Sequence, residues 1–355
     1  MTAKDLHAAT FTGLVNLADE FLGAQALLAN DEFFAPKENL LKSGRGVFLP
    51  DEYTDRGKLM DGWESRRRRG PGHDWCIIKL GTPGRVRVLD IDTNHFLGNS
   101  PPYASVDAIA AAPDADPDVL AREGKWYELL PQSPIRPGSQ NIFPISHGES
   151  WPRSWTHLRL NIYPDGGVAR FRAHGDIEPN WNMSDVDTEV APRLQPGEVD
   201  LAAVRHGGLA LACSDMFFGP MNNLLLPGRS QNMGGGWETR RRRGPGFDWI
   251  IVRLGAPGEI GLLEVDTNFF KGNFPDCCSL EGIDAPRAPL TELVDASAAW
   301  RGVLPETKLQ PHTRHFFRDE IVQRGPFTHV RLSIYPDGGI SRLRVFGNRV
   351  QGSTP

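Results

Sequence analysis

The sequence predicts an all-β protein built twice over: two tandem domains, each a sandwich of antiparallel strands. Three observations predict it. First, GWESRRRRGPGHDW at 62–75 returns as GWETRRRRGPGFDW at 236–249, identical at twelve of fourteen positions. Second, short runs of branched aliphatic residues end at glycine or at Pro-Gly, as strands of a meander do. Third, strict apolar–polar alternation recurs late in each copy, the signature of a sheet with one buried face. Helical periodicity of useful length is confined to the opening residues, 105–124 and 284–300.

The repeat divides the 355 residues. Trp63/Trp237, Asp92/Asp266 and Leu130/Leu304 lie 174 apart, and His157/His329 and Tyr163/Tyr335 lie 172 apart. Upstream, NDEFFAPKENLL (30–41) matches SDMFFGPMNNLL (214–225) at an offset of 184. The first copy therefore carries about ten extra residues before Trp63, read as a longer loop around SGRGVFLPDEYTDRG (43–57). The domains are placed at 1–178, with its repeat near 15–178, and at 199–355, with its repeat near 199–350. Residues 179–198, with Pro179, Pro192, Pro196, Asp187 and Glu189, read as a linker.

Each element follows in order. DWCIIKL (74–80) and DWIIVRL (248–254) are apolar strands, and RVRVLDID (85–92) and EIGLLEVD (259–266) follow after glycine turns. Asp-Thr-Asn at 92–94 and 266–268 closes the second strand of each pair. In WTHLRLNIY (155–163), Leu158, Leu160 and Ile162 share one face, while His157, Arg159, Asn161 and Tyr163 share the other. THVRLSIY (328–335) repeats this with His329, Arg331, Ser333 and Tyr335. Pro-Asp-Gly-Gly then turns the chain into VARFRAH (168–174) or ISRLRVF (340–346). Pairing these as hairpins, Tyr163 against Val168, sets Arg159 opposite Arg172 and Arg331 opposite Arg344. Like charges across a sheet need an anion or a carboxylate between them. An anion site is one reading; salt bridging to a nearby acid or to another subunit is the commoner use of arginine.

Net charge is −5 despite two four-arginine runs, which argues against a nucleic-acid surface. No stretch is long and apolar enough to span a bilayer, and the first residues lack a secretory pattern. Cys76, Cys213, Cys277 and Cys278 form no disulfide framework, so a reduced, cytoplasmic setting is expected.

The chemistry-bearing residues kept in both copies are few. Arg66, Arg67, Arg68 and Arg69 answer Arg240, Arg241, Arg242 and Arg243; alternate members of an extended run point to opposite sides. Some are expected to pair with Glu64, Asp74 or their counterparts, leaving others for a ligand carboxylate. Asp92, Asn94, Asp266 and Asn268 suit hydrogen bonding to a urea-like ligand, a hard cation, or local turn groups. His157 and His329 are the two-copy candidates for proton transfer. One-sided residues rank lower: His95 becomes Phe269, and His312 and His315 answer Gly138 and Asn141. No Cys/His cluster has a trusted metal spacing; no cofactor is required, and a divalent cation such as manganese stays open.

The repeated N/S-D-x-F-F, W-E-S/T-R-R-R-R-x-x-G-x-D-W, D-T-N-x-F-x-G-N and I-Y-P-D-G-G segments together resemble the allantoicase family, over residues 14–348. The resemblance implies tandem jelly-roll domains of the galactose-binding-like type, and hydrolysis of allantoate to ureidoglycolate and urea by a homo-oligomer. On that reading the Arg runs, with Arg159 and Arg331, hold the substrate carboxylate. Asp92 or Asp266 serves urea recognition or base work beside Asn94 and Asn268, and His157 or His329 carries the proton. Phe269, where the family commonly has His, and the run Asp276-Cys277-Cys278 depart from the pattern. The rivals are a non-catalytic tandem carbohydrate-binding protein and a hydrolase of a related ureide.

Overall fold

The computed structural model describes residues 13–48, 50–146, 151–152, 154–182 and 186–350. Two compact units emerge, Leu14–Glu178 and Pro179 onward. In the first, the strands are β1 (Val15–Asn16), β2 (Gln25–Ala29), β3 (Tyr53–Thr54), β4 (Gly57–Lys58), β5 (Trp63–Glu64), β6 (Asp74–Asp92), β7 (Tyr103–Ile109), β8 (Tyr127–Pro134), β9 (Gln140–Pro144), β10 (Trp155–Tyr163), β11 (Gly167–Val168) and β12 (Arg170–Ile177). The second unit has β13 (Val199–Asp200), β14 (Leu209–Cys213), β15 (Trp237–Glu238), β16 (Asp248–Asp266), β17 (Cys277–Ile283), β18 (Arg301–Lys308), β19 (Arg314–Phe317), β20 (Phe327–Tyr335), β21 (Gly339–Ile340) and β22 (Arg342–Arg349).

The two runs 74–80 and 85–92 are halves of the single bent strand β6, 19 residues long. They pair not with each other but in opposite layers. The first half pairs β2 and β10, and β7 and β8 extend that layer. The second half pairs β9 and β12, with β1 beyond. Gly84, the corner, pairs both Trp155 and Ile177. Only glycine fits there, because a Cβ on Gly84 would sit 2.6 Å from the Asp176 carbonyl oxygen. β16 repeats the arrangement with β14, β20, β17 and β18 in one layer and β19, β22 and β13 in the other.

The hairpin register expected above is not formed. β10 lies between β6 and β7, and Arg159 stands opposite Asp107 instead of Arg172. Arg331 likewise stands opposite Glu281 instead of Arg344. Pro-Asp-Gly-Gly acts as a crossover between layers: Gly167 pairs with Glu64 and Val168 with Trp63 before the chain enters β12. Crossing over lets the apolar faces of β10 and β12 face each other. Leu158, Leu160 and Ile162 meet Phe171, Ala173, Leu89 and Ile91 in one core. Each such side chain fully buried contributes about 1.5–3 kcal/mol.

Helix is scarce. Within 105–124 only α1 (Pro117–Glu123) forms, capped by the Asp116 carboxylate, and within 284–300 only the single turn α2 (Leu290–Leu293). Residues 105–109 are strand. The proline-rich segment 179–198 belongs to the second unit: Asp187 and Glu189 pair with Arg314, and Glu198 pairs with Arg318. All four cysteines are free thiols, and no helix among the described residues is long and apolar enough to cross a membrane.

Candidate functional site

Both ends of β6 reach the same pole of the first sandwich. The Asp74 N–H donates to Pro164 at one end, and at the other the Ala169 N–H donates to Asp92, across 3.2 and 2.8 Å. This brings together the three segments that are repeated in sequence. The Arg68 N–H donates to the Asp165 carboxylate (2.8 Å), and the Ser65 N–H donates to the Gly166 carbonyl (3.1 Å). The Gly167 N–H donates to the Asn99 carbonyl (2.8 Å). Phe96 is the hub: a Cβ on Gly167 would lie 2.0 Å from its ring. Phe270, Gly339, Asn273 and Asp337 rebuild this pole in the second unit.

The Arg runs split by parity. Arg66 pairs with Asp31 (2.7 Å) and stacks over Phe33. Arg68 pairs with Asp74, which is 1% exposed and also accepts from Asn30 (3.0 Å). Arg240 and Arg242 do the same with Asp215 and Asp248. Arg67, Arg69, Arg241 and Arg243 are exposed and make no ion pair or hydrogen bond among the described residues.

Asp92 is occupied. Arg45 forks its two oxygens at 2.9 and 3.0 Å, and the Asn94 N–H donates to it at 2.9 Å. Asn94 is itself spent, donating to the Gly46 carbonyl at 2.9 Å. Arg229, Asp266, Asn268 and Ser230 repeat the arrangement. These residues tie the loop before each Arg run to the end of the long strand. Among the described residues no group of three or more His, Cys, Asp or Glu is placed to hold a metal ion.

The structure does not bring His157 to Asp92. Leu158 and Ile91 both point into the core, so their neighbours His157 and Asp92 lie on opposite outer faces. His157 is fully buried, its Nδ1 is 2.9 Å from Thr156, and its Nε2 has no partner among the described residues. Burial, then the Lys79 charge, push it down to about 4, so it is neutral. Burial and Arg253 do the same to His329, also to about 4. Arg159 is taken by Asp107 (2.8 Å) beneath Trp126, and Arg331 by Glu281 (2.7 Å) beneath Trp300. His312 accepts from the Phe269 N–H, and His315 from the Gln310 N–H, both as loop braces at 2.8 Å.

What the pole does offer is a cavity of about 340 Å³ in the first unit, lined by Phe34, Phe48, Lys58, Glu64, His95 and Asn99 among others. The Asn99 side chain donates to Glu64 at 2.7 Å. Burial raises the Glu64 carboxyl above its ordinary value, and the Asn99 bond partly offsets this. The Lys58 ammonium sits 4.1 Å over the Phe48 ring. Sequence reasoning missed this group. Glu64 and Asn99 were visible as repeated W-E and G-N residues, whereas His95 and Lys58 occur in one copy only.

A model of the allantoicase repeat matches residues 15–178 and again 199–350. A probable allantoicase of Photobacterium profundum is 47% identical over 96% of this chain and 98% of its own. One of Pseudomonas aeruginosa is 47% identical over 98% of this chain and 99% of its own. The crystal structure of allantoicase from Saccharomyces cerevisiae superposes with a TM-score of 0.79 at 31% identity, covering 98% of both chains. With both repeats matched in order and along nearly its whole length, the chain belongs to the allantoicase family.

Proposed function

We propose that this protein hydrolyses allantoate to ureidoglycolate and urea, and that the reaction takes place at a motif pole. One observation carries the location: three repeated segments, far apart in sequence, meet at one end of each sandwich. There they leave Arg67, Arg69, Arg241 and Arg243 exposed and without a carboxylate of their own among the described residues. Allantoate is a small carboxylate whose α-carbon carries two ureido groups. Unpaired guanidiniums draw its carboxylate to the pole. Asparagine and carboxyl side chains at a half-buried rim match its urea N–H and C=O groups.

The test is direct. Purified protein incubated with allantoate releases urea and ureidoglycolate in equal amounts; absence of urea overturns the assignment. Arg67→Ala and Arg241→Ala, made singly, separate the poles: the productive one shows a raised KM. Family resemblance further supports a cytoplasmic homo-oligomer, which light scattering of the purified protein tests by its mass.

A further inference from the structure

The two motif poles share a backbone but not their walls. Phe48 and Lys58 line the first cavity and come from the stretch between Leu41 and Trp63, which is about ten residues longer than its counterpart in the second repeat. His95 lines it too, and its counterpart is Phe269. Both hold φ of 68°, a left-handed conformation uncommon outside glycine. The loop therefore presents the same position in both copies, once with an imidazole and once with a phenyl ring. Glu64 and Asn99 have counterparts in Glu238 and Asn273, bonded at 2.6 Å. The second pole thus keeps the glutamate–asparagine pair but has Phe269 at the histidine's position, braced by His312, and lacks the loop that brings Lys58.

Resting on the function proposed above, we infer that the first repeat alone holds the reacting centre. Lys58 pairs with the substrate carboxylate, Glu64 is the proton donor to the departing ureido nitrogen, and His95 is the proton acceptor from water. The cavity is within the range of small-molecule sites, and its apolar walls, Phe34 and Phe48, flank four polar side chains. In the step itself, the Cα–N bond to one ureido group breaks and its electron pair passes to nitrogen. That nitrogen takes the Glu64 proton and leaves as urea. The oxygen of water bonds to Cα, and the proton it loses passes to the His95 imidazole. His95 returns its proton to solvent and Glu64 takes one up, so the net change is addition of one water. The burial that raises the Glu64 carboxyl favours the protonated form this role needs. Arg67 and Arg69, exposed and a few residues beyond Glu64, add positive potential to the same pole.

The experiment compares Glu64→Gln, His95→Phe and Glu238→Gln in the full chain, reading kcat for urea release from allantoate alongside the thermal midpoint. His95→Phe installs the residue the other repeat already carries at the same φ, so a foldable variant is expected. Glu64→Gln and His95→Phe should each lower kcat about a hundredfold or more, with Glu238→Gln within about twofold of the parent. Equal losses in Glu64→Gln and Glu238→Gln, or parental kcat in Glu64→Gln at an unchanged midpoint, overturn the single-centre assignment while leaving the activity intact. A parent chain that releases no urea overturns the function itself, and the inference falls with it.

Discussion

The Asn99 side chain donates to Glu64 across 2.7 Å, pinning the Asp-Thr-Asn loop to the glutamate two residues before the Arg run. The same amide stabilises the Glu64 carboxylate against the upward push of burial. Asn99→Ala therefore raises the Glu64 carboxyl further. If Glu64 works as a protonated acid, urea release falls as pH rises through its pKa. The variant should then carry that limb of the pH–rate profile to higher pH. A limb that stays in place, or moves toward acid, would sink the assignment of Glu64 as donor.

Parity along the Arg run makes a second prediction. Arg68 meets an aspartate that is 1% exposed, whereas Arg67 is exposed and unpaired among the described residues. Arg68→Ala leaves Asp74 with a single side-chain donor, Asn30, and should cost roughly 3 kcal/mol of stability. Arg67→Ala should stay within about 0.5 kcal/mol. Denaturant unfolding followed by tryptophan fluorescence reads both, and equal losses would contradict the split. Substrate affinity should show the reverse order.

How far this was legible in the sequence depends on the range of the interaction. The duplication, the all-β class and the polar face of β10 follow from identity and period-two alternation, which are local signals. Partner choice is not local. Pro-Asp-Gly-Gly carries strong hairpin chemistry, yet the chain crosses layers there, because only then do Leu160 and Phe171 share a core. Arg159 looked like half of an anion site until β7 supplied Asp107. Asp92 looked available until Arg45, 47 residues upstream, closed on it. Comparing the two copies ranks a residue by presence in both, so it set His95 lower, as a feature of one half; His95 lines a cavity whose Phe48 and Lys58 come from the loop that is longer in the first repeat.

His157 and His329 give the fold a pH dependence whose sign is fixed by burial. Each is pushed from 6.5 down to about 4, so between those values the unfolded chain binds more protons than the native one. Stability contributed by the neutral imidazoles is complete above about pH 6.5 and is lost as pH falls toward 4. Replacing each by Gln, which cannot be protonated in this range, should flatten the thermal midpoint over pH 4–6.5. An unchanged slope would mean these rings are already charged in the native state. Because neither faces the motif pole, the substitutions should leave the pH profile of urea release in place at temperatures well below unfolding.

Asp90 runs the other way, so the two contributions can be told apart. It is 4% exposed on the outer face of β6, accepts from Gln140 at 2.7 Å, and its Oδ1 has no partner among the described residues. Burial pushes its carboxyl from 3.8 up to about 6, with Asp92 adding to the push and Gln140, Arg172 and Arg45 opposing it. Between those values the native state binds more protons than the unfolded chain. The stabilising term is therefore complete below about pH 3.8 and lost as pH rises through 6. At pH 8 the parent carries a buried charge that costs on the order of 3 kcal/mol. Asp90→Asn keeps an acceptor for Gln140 and removes that charge, so it should raise the thermal midpoint at pH 8. The gain should shrink steadily below pH 6 and vanish near pH 4. Destabilisation at pH 8 would show instead that Arg45 and Arg172 hold Asp90 as a needed carboxylate, and that the strip beside Asp92 is an ion network, not a strained acid.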